Sequence, residues 1–246
     1  MNSVVVEILD QWVRKYSTDL SGYQRLSREL KVLKCLSGSV HTPTVVQSRD
    51  DTAKISIDME AIQGQSLREL LDMQTDYVTT AMPWNEAKQW LAQYIDAEMD
   101  LLSRDALYRD MNLDHLIFAG NRAVLIDMES TIISADQGKW LLNDMRGTWE
   151  TMAPEEFIGY GELSARTATY RVAVIAHIIL TGKLPFKRFS DSRSATYHWR
   201  MMHMAEIDRG LSHKTRRVFA SALARKPIHR YKNPERFLDK LTASYR

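Results

Sequence analysis

The stretch Leu107–Glu129, LYRDMNLDHLIFAGNRAVLIDME, decides how the rest of the chain is interpreted. Its second half predicts two apolar strands joined by a turn at residues 120–121, because Gly-Asn between apolar runs is a hairpin signal. Asp110 and His115 precede the first strand, and Asp127 ends the second. A hairpin brings its two outer ends together, so we expect these three side chains to lie close to one another.

Such a cluster suits phosphoryl transfer, which needs one Asp to accept a hydroxyl proton and a second Asp, with a further ligand, to hold a metal ion. The stretch resembles the catalytic loop and metal-binding motif of protein kinases, His-Arg-Asp-x-x-x-x-Asn followed by Asp-Phe-Gly. The matching segments are Tyr108-Arg109-Asp110, His115 and Asp127-Met128-Glu129. The resemblance implies that Asp110 and Arg109 are catalytic and that Asp127 and His115 bind metal.

Two landmarks before this stretch follow in the family's order. Residues 12–15, Trp-Val-Arg-Lys, resemble the Val-Ala-Ile-Lys strand of protein kinases, which implies that Lys15 contacts the nucleotide phosphates. Residues 22–36 predict a helix from the spacing of their leucines, and the resemblance implies that Glu29 on this helix pairs with Lys15. From the residues alone, Lys15 could equally be a solvated strand lysine and Glu29 a surface charge.

The segment Glu60–Gly64 resembles the hinge that joins the two lobes of protein kinases. The resemblance implies that backbone groups near Glu60 and Ile62 bind adenine. Before it, residues 44–47 and 54–62 predict two strands separated by a polar turn at Ser48–Asp51. After it, Ser66 is a suitable N-cap for a helix over residues 67–73, because a Glu follows three positions later.

Landmarks also follow the central stretch. Residues 147–155, GTWETMAPE, closely resemble the Gly-Thr-x-x-Tyr-Met-Ala-Pro-Glu that ends the activation segment of Ser/Thr protein kinases, with Thr148 inside it. Arg171–Leu180 predicts a buried helix. The resemblance implies that Arg230 near the C-terminus pairs with Glu155, and a buried ion pair of this kind fixes register more than it adds stability.

Five positions depart from the family's pattern. The first glycine of the chain is Gly22, so the Gly-rich loop is absent from this sequence; either the N-lobe is reduced or the true start lies upstream. His115 replaces the asparagine, as in the lipopolysaccharide-core sugar kinases, and either binds metal or only braces the loop. Glu129 replaces a glycine and either binds metal or faces solvent. Asn112 replaces a lysine that contacts the transferred phosphate, and Ala168 replaces an Asp that anchors the catalytic loop.

Composition narrows the class of protein. A net charge of +2 argues against nucleic-acid binding, and the single Cys35 excludes an internal disulfide. No signal peptide is visible, and the most apolar stretch, Val172–Leu180, is too short to span a bilayer. We therefore expect a monomer without a membrane span, either cytoplasmic or secreted into a host cell as a bacterial effector.

The sequence as a whole therefore predicts an α+β, bilobal, protein kinase-like fold, with a small β-rich N-lobe (1–62) and a larger helical C-lobe (63–246). The expected function is ATP-dependent phosphorylation of Ser or Thr in a protein, with Mg²⁺ or Mn²⁺ as cofactor. A sugar or small-molecule kinase and a pseudokinase that only binds partners stay open as alternatives. We also expect autophosphorylation after the hairpin, with these candidate acceptors: Ser130, Thr131, Ser134 and Thr148.

Overall fold

The structure, a computed structural model, describes residues 3–51, 54–72, 80–134, 140–144, 146–186 and 203–246. Residue 73 of the predicted helix 67–73 and part of the predicted activation segment lie outside these residues, and the helix itself ends at Leu70, three residues before the predicted end. The described residues form an N-terminal sheet that carries one long helix, followed by a larger, mainly helical part.

The N-terminal part is a four-stranded antiparallel sheet with one helix packed on it. Its strands are β1 (Val4–Ile8), β2 (Trp12–Ser17), β3 (Val45–Asp51) and β4 (Lys54–Glu60). Their spatial order is β1-β2-β4-β3, and helix α1 (Leu20–Cys35) connects β2 to β3. The helix lies against β2 and β4, so it covers the middle of the sheet.

Capping and periodicity explain why α1 forms and which face it buries. The Asp19 carboxylate accepts a hydrogen bond from the Gly22 backbone N–H at 2.8 Å and so caps the first turn. Leu26, Leu30 and Leu33 recur at helical spacing and are buried. They meet the alternating residues of β4 that point to the same side of the sheet, which are Ile55, Ile57 and Met59.

The turn predicted at Ser48–Asp51 is wrong, because β3 continues through these residues. The strand stays paired with β4 as far as Asp51, which lies opposite Lys54. Most side chains of β3 are exposed, and the strand lies at the edge of the sheet. An exposed edge strand tolerates the charged residues that made this stretch look like a turn.

The larger part contains five helices within the described residues: α2 (Leu67–Leu70), α3 (Trp84–Ser103), α4 (Ala165–Thr181), α5 (His213–Ala222) and α6 (Pro234–Ser244). Helices α3, α4 and α6 pack against one another. The predicted buried helix is confirmed as α4, whose side chains are all buried along residues 167–180. This helix therefore forms the interior support of the larger part.

The predicted hairpin is confirmed and lies on α3. Its strands are β7 (Leu116–Ala119) and β8 (Arg122–Leu125). The short strand β5 (Gln65–Ser66), which precedes the hairpin in the chain, pairs with β7 as a third strand. Two short ladders pair β6 (Ala106–Leu107) with β9 (Ile132–Ile133), and β10 (Trp140–Leu142) with β11 (Gly161–Leu163). Three single 3₁₀ turns complete the described elements: Met128–Ser130, Pro154–Ile158 and Pro227–His229.

The predicted α+β class, with a small β-rich N-terminal part and a larger helical part, is confirmed. The main core is continuous from α1 through the hairpin to α3, α4 and α6. In the parts of the chain that the structure describes, no helix combines the length and the apolar character needed to cross a membrane.

One carboxyl group in this core has an unusual titration. Glu98 on α3 is fully buried, and its Oε1 accepts a hydrogen bond from the Tyr94 hydroxyl at 2.9 Å. Burial raises the pKa of Glu98 from 4.5 to about 7; the positive charge of Arg171 and the Tyr94 hydrogen bond oppose this shift, and the negative charge of Glu156 adds to it. Folding therefore favours the protonated form of Glu98.

Glu98→Gln is expected to remove a pH-dependent loss of stability. A carboxyl whose pKa is raised by folding destabilises the native state as the pH rises from about 4.5 through 7. The shift corresponds to roughly 3 kcal/mol. Urea unfolding at pH 5 and pH 8 should show that the variant gains about this much relative to the unmodified protein at pH 8. Asp96→Asn, an exposed change on the same helix, is the control, and an equal difference at both pH values would contradict the assignment.

Candidate active site

A buried ion pair links the N-terminal sheet to α1. The Lys15 ammonium, on β2, lies 2.7 Å from Glu29 Oε1 and 3.0 Å from Oε2. Glu29 is only 1% exposed, so its charge is not a surface charge, and Lys15 is not a solvated strand lysine. Glu29 Oε1 also accepts a hydrogen bond from the Met128 backbone N–H at 3.4 Å. One carboxylate thus joins the sheet, α1 and the chain that leaves the hairpin.

Lys15 has a second acidic neighbour. Its Nζ lies 3.3 Å from Asp127 Oδ1, although the two residues are far apart in the chain. Burial alone would lower the pKa of Lys15, but the charges and hydrogen bonds of Glu29 and Asp127 raise it. Burial, with the Asp127 charge, raises the pKa of Glu29 despite the opposing charge of Lys15. Because two carboxylates share one ammonium, the pKa of Lys15 stays raised and its ammonium form is favoured.

Asp127 occupies a backbone conformation that a non-glycine residue rarely adopts. Its φ is 60° and its ψ is 74°, in the left-handed region. The Tyr108 hydroxyl contacts the backbone next to Asp127: its oxygen lies 2.7 Å from the carbonyl oxygen of Ile126 and 3.0 Å from that of Asp110. Tyr108 is fully buried, and its single hydroxyl proton is shared between the two carbonyls. The same side chain therefore fixes the backbone beside both aspartates.

Asp110, His115 and Asp127 come together as the hairpin predicts. One ligand atom from each lies within 4.8 Å of the others, and all three residues are partly exposed. His115 Nδ1 lies 3.0 Å from the Asp110 carbonyl oxygen, which can only accept, so Nδ1 is assigned the hydrogen. In the neutral ring the Nε2 lone pair is then free, 3.8 Å from Asp127 Oδ2. Two carboxylates and one imidazole nitrogen fit a divalent cation.

The segment after the hairpin returns to the catalytic-loop stretch at Gly147 and Thr148. The Thr148 hydroxyl donates a hydrogen bond to Asp110 Oδ1 at 2.7 Å. Gly147 has a φ of 116°, and a Cβ there would lie 2.6 Å from the Arg109 carbonyl oxygen. Only glycine permits this approach, which brings the Thr148 hydroxyl to the carboxylate.

Glu155 and Arg230 form the ion pair that the sequence predicts. Arg230 Nη1 and Nη2 bind the two carboxylate oxygens of Glu155 at 2.7 Å and 2.8 Å. The guanidinium also donates to three backbone carbonyls and lies 4.7 Å above the ring of Tyr170 on α4. The pair joins the end of the activation-segment motif to the C-terminal helices.

The Arg109 guanidinium is bound by carboxylates of the chain itself. Its side chain is buried, and Nη1 lies 2.7 Å from Asp144 Oδ1. Burial alone would raise the pKa of Asp144, but Arg109 and Arg146 lower it. Among the expected phosphorylation sites, Ser130 and Thr131 are buried. Autophosphorylation stays a prediction.

Two of the positions that depart from the family's pattern, Glu129 and Ala168, have defined neighbours in the structure. Glu129 Oε2 lies 2.7 Å from Arg25 Nε on α1, so this carboxylate binds the helix and neither faces solvent alone nor joins the three-residue cluster. Ala168 packs in a small apolar cluster with the following side chains: Leu107, Trp140, Leu142 and Leu163.

The predicted hinge lies at the end of β4. Glu60 Oε1 lies 3.4 Å from Arg122 Nη2, on the hairpin, and the Ala61 backbone N–H donates to Gln11 O at 3.1 Å. A Cβ at Gly64 would lie 2.4 Å from the Phe118 carbonyl oxygen, so glycine allows the chain to pass close to β7. Ile62, between these points, is half-buried.

Two features of the site were missed by reasoning from the sequence. The bridging role of Tyr108 and the Asp144 partner of Arg109 depend on which carbonyls and carboxylates the fold brings near. The sequence does contain a signal for the first feature, because Tyr108 stands where the family has a histidine. Nothing in the spacing of Asp144 singled it out.

The sequence of this chain is similar to the sequences of known proteins over most of its length. The sequence profile described as "protein kinase domain" matches residues 4–239. CBL-interacting protein kinase 25 of Oryza sativa subsp. japonica is 26% identical over 198 residues, which cover 74% of this chain and 35% of the relative. CDPK-related kinase 4 of Arabidopsis thaliana is 28% identical over 196 residues, covering 77% of this chain and 31% of the relative. Serine/threonine-protein kinase PknH of Mycobacterium tuberculosis is 25% identical over 224 residues, covering 88% and 34%. The chain thus spans about a third of the length of these relatives.

Proposed function

Because the chain belongs to the protein kinase domain family, we propose that it transfers the γ-phosphoryl group of ATP to a Ser or Thr hydroxyl of a protein substrate. One observation carries the proposal: the Lys15 ammonium lies 2.7 Å from Glu29 and 3.3 Å from Asp127, beside the Asp110–His115 pair. Phosphoryl transfer depends mainly on positioning and charge neutralisation, and these side chains supply both.

Asp110 orients the attacking hydroxyl and accepts its proton. Its Oδ1 is held by the Thr148 hydroxyl at 2.7 Å, which leaves Oδ2 as the free acceptor. Lys15 neutralises charge on the ATP phosphates, and Glu29 keeps the ammonium in place. The substrate is a protein rather than a sugar because the segment after the hairpin ends in the motif GTWETMAPE, which sugar kinases of this fold usually lack.

Asp127 and His115 would hold a divalent cation, with Asp110 beside them. The tautomer assigned from the Asp110 carbonyl contact leaves the His115 Nε2 lone pair on the side of Asp127. When bound, the cation neutralises negative charge on the phosphates as the bond to the γ-phosphorus breaks. Mg²⁺ prefers oxygen ligands, whereas Mn²⁺ accepts imidazole more readily, so activity with Mn²⁺ is expected to equal or exceed activity with Mg²⁺.

The adenine-binding hinge is proposed at Glu60–Gly64, with backbone groups near Glu60 and Ile62 as the contacts. The division into an N-lobe of residues 1–62 and a C-lobe of residues 63–246 follows from this position. Two contacts support a fixed position for the chain where it passes between the lobes. Gly64 lies close to β7, and Glu60 contacts Arg122. A monomer, and a location in the cytoplasm or in a host cell, stay predictions.

Asp110→Ala is expected to lower phosphate transfer at least about a hundred-fold, because the hydroxyl proton loses its acceptor. Radiolabelled ATP, generic protein substrates and either Mg²⁺ or Mn²⁺ measure the rate. Asp239→Asn, which removes an exposed carboxylate paired with Arg236 on α6, is the matched control. Unchanged transfer by the Asp110 variant would show that another group accepts the proton.

A second candidate function is nucleotide binding without transfer, because Ala168 on α4 has no polar group where the resemblance implies an Asp that anchors the catalytic loop. The same preparation separates the two functions. A rise in melting temperature with MgATP or MnATP, without labelled protein and without ATP hydrolysis, would favour the binding module. Label on a free sugar added as acceptor, but not on protein, would favour a small-molecule kinase.

A further inference from the structure

A continuous chain of buried charges connects α4 to the catalytic-loop residue Arg109. On α4, Arg171 Nη1 donates to Glu156 Oε2 at 2.8 Å. On the other side, Arg109 Nε donates to Glu156 Oε1 at 3.3 Å. The side chains of Arg171 and Glu156 are 0% exposed and that of Arg109 is 1% exposed, so water does not compete for these contacts.

Glu156 joins three parts of the structure. Besides the two guanidinium groups, its Oε2 accepts a hydrogen bond from the Ala153 backbone N–H at 3.0 Å. Ala153 precedes the 3₁₀ turn Pro154–Ile158, which also carries Glu155 of the pair with Arg230. A displacement of Glu156 therefore moves the turn and the catalytic loop together.

Arg171 lies on a helix that is buried on all sides. Every residue of α4 from 167 to 180 is buried, so the helix is fixed along its length. One turn earlier, Ala168 presents only a methyl group and packs among apolar side chains. Arg171, in contrast, carries a charged group that reaches the Arg109 guanidinium through Glu156.

The backbone at Arg109, where this series of charges reaches the active site, is also constrained. Arg109 immediately precedes Asp110, whose carboxylate is held by Thr148. The Arg109 carbonyl oxygen lies against Gly147, where a Cβ would come within 2.6 Å. The position of the Arg109 backbone therefore sets where the Asp110 carboxylate lies relative to an incoming hydroxyl, and small errors in such a position are costly to rate.

We propose that Arg171 is a positioning residue for Asp110: acting through Glu156 and Arg109, it ties the catalytic loop to α4, in a place where Ala168 offers no polar group. The inference rests on the proposed phosphotransfer function. Asp144 shares the Arg109 guanidinium with Glu156, so the tie belongs to a small network of charged side chains. Breaking the tie should loosen the loop without affecting the Lys15–Glu29 pair.

Arg171→Met tests the proposal, and the double variant Arg171→Met/Glu156→Gln keeps it testable if the single variant does not fold. The single change leaves the buried Glu156 charge with one partner fewer, whereas the double change removes both charges of the pair. Arg236→Met, on the exposed face of α6, is the control for the substitution type.

For the folded variants we expect kcat to fall about 10- to 100-fold while KM for ATP changes less than about two-fold. Arg171→Lys should keep part of the kcat that Arg171→Met loses, because lysine keeps a charged donor. A purely structural role would lower the melting temperature and leave kcat per folded molecule unchanged, and that result would overturn the proposal.

Hydrogen exchange gives a readout that does not depend on activity. The amides of residues 109–115 should exchange at least about ten-fold faster in the variants, while those of α1 keep their protection. This result would stand even if the protein transferred no phosphate, which separates failure of the tie from failure of the proposed function. Unchanged exchange in the loop would overturn the proposal.

Discussion

Asp127→Asn is expected to lower the rate of phosphate transfer at least about a hundred-fold with either Mg²⁺ or Mn²⁺. The amide keeps the shape of the carboxylate but lacks the charge that faces Lys15 at 3.3 Å and His115 at 3.8 Å. Steady-state rates with radiolabelled ATP measure the effect. The melting temperature should change little, because Asp127 is partly exposed and Glu29 still holds Lys15.

Metal binding provides the second measurement for this variant. Titration of Mn²⁺ followed by the signal of the free ion should show weaker binding by Asp127→Asn than by Asp239→Asn, whose change lies on α6. A variant that retained a tenth of the activity or more, with unaltered Mn²⁺ binding, would rule out Asp127 as the main metal ligand.

Arg230→Ala is expected to cost about 3 to 5 kcal/mol of unfolding free energy. The guanidinium is buried and makes two bonds to Glu155, and the truncation leaves that carboxylate without its main partner. Several backbone carbonyls also lose a donor. Urea unfolding monitored by tryptophan fluorescence measures the difference.

Two further variants make this test specific. Arg230→Met/Glu155→Gln removes both charges and should recover part of the loss, since a buried pair is costly mainly when it is broken on one side. Arg236→Ala, which breaks an exposed pair on α6, should change stability by less than about 1 kcal/mol. A loss below about 1 kcal/mol for Arg230→Ala would mean that the pair does not hold the C-terminal helices in place.

The parts of the fold that the sequence predicts well are those with local signals. The hairpin follows from an apolar-turn-apolar pattern, and α1 follows from leucines at helical spacing. The edge strand β3 was misread because charged residues are compatible with both a turn and an exposed strand. The choice between them is made by pairing with β4, which sequence spacing alone does not reveal.

The contacts of the candidate active site also divide into those with a local signal in the sequence and those without one. The closeness of Asp110, His115 and Asp127 follows from the geometry of one hairpin, whereas the pairing of Lys15 with Glu29 was implied only by a resemblance. The partners of Arg109 and Arg171 could not be predicted. A single Arg within an apolar helix gives no periodic signal, and its carboxylate partner lies on a separate 3₁₀ turn. Long-range charge partners are set by tertiary packing, which local patterns do not encode.

The Arg25–Glu129 contact bears on how such a molecule could be regulated. Together with the Lys15–Glu29 pair, it fastens α1 at two points along its length. An inhibitor or an adaptor that acts by swinging this helix outward must therefore rupture two bridges at once.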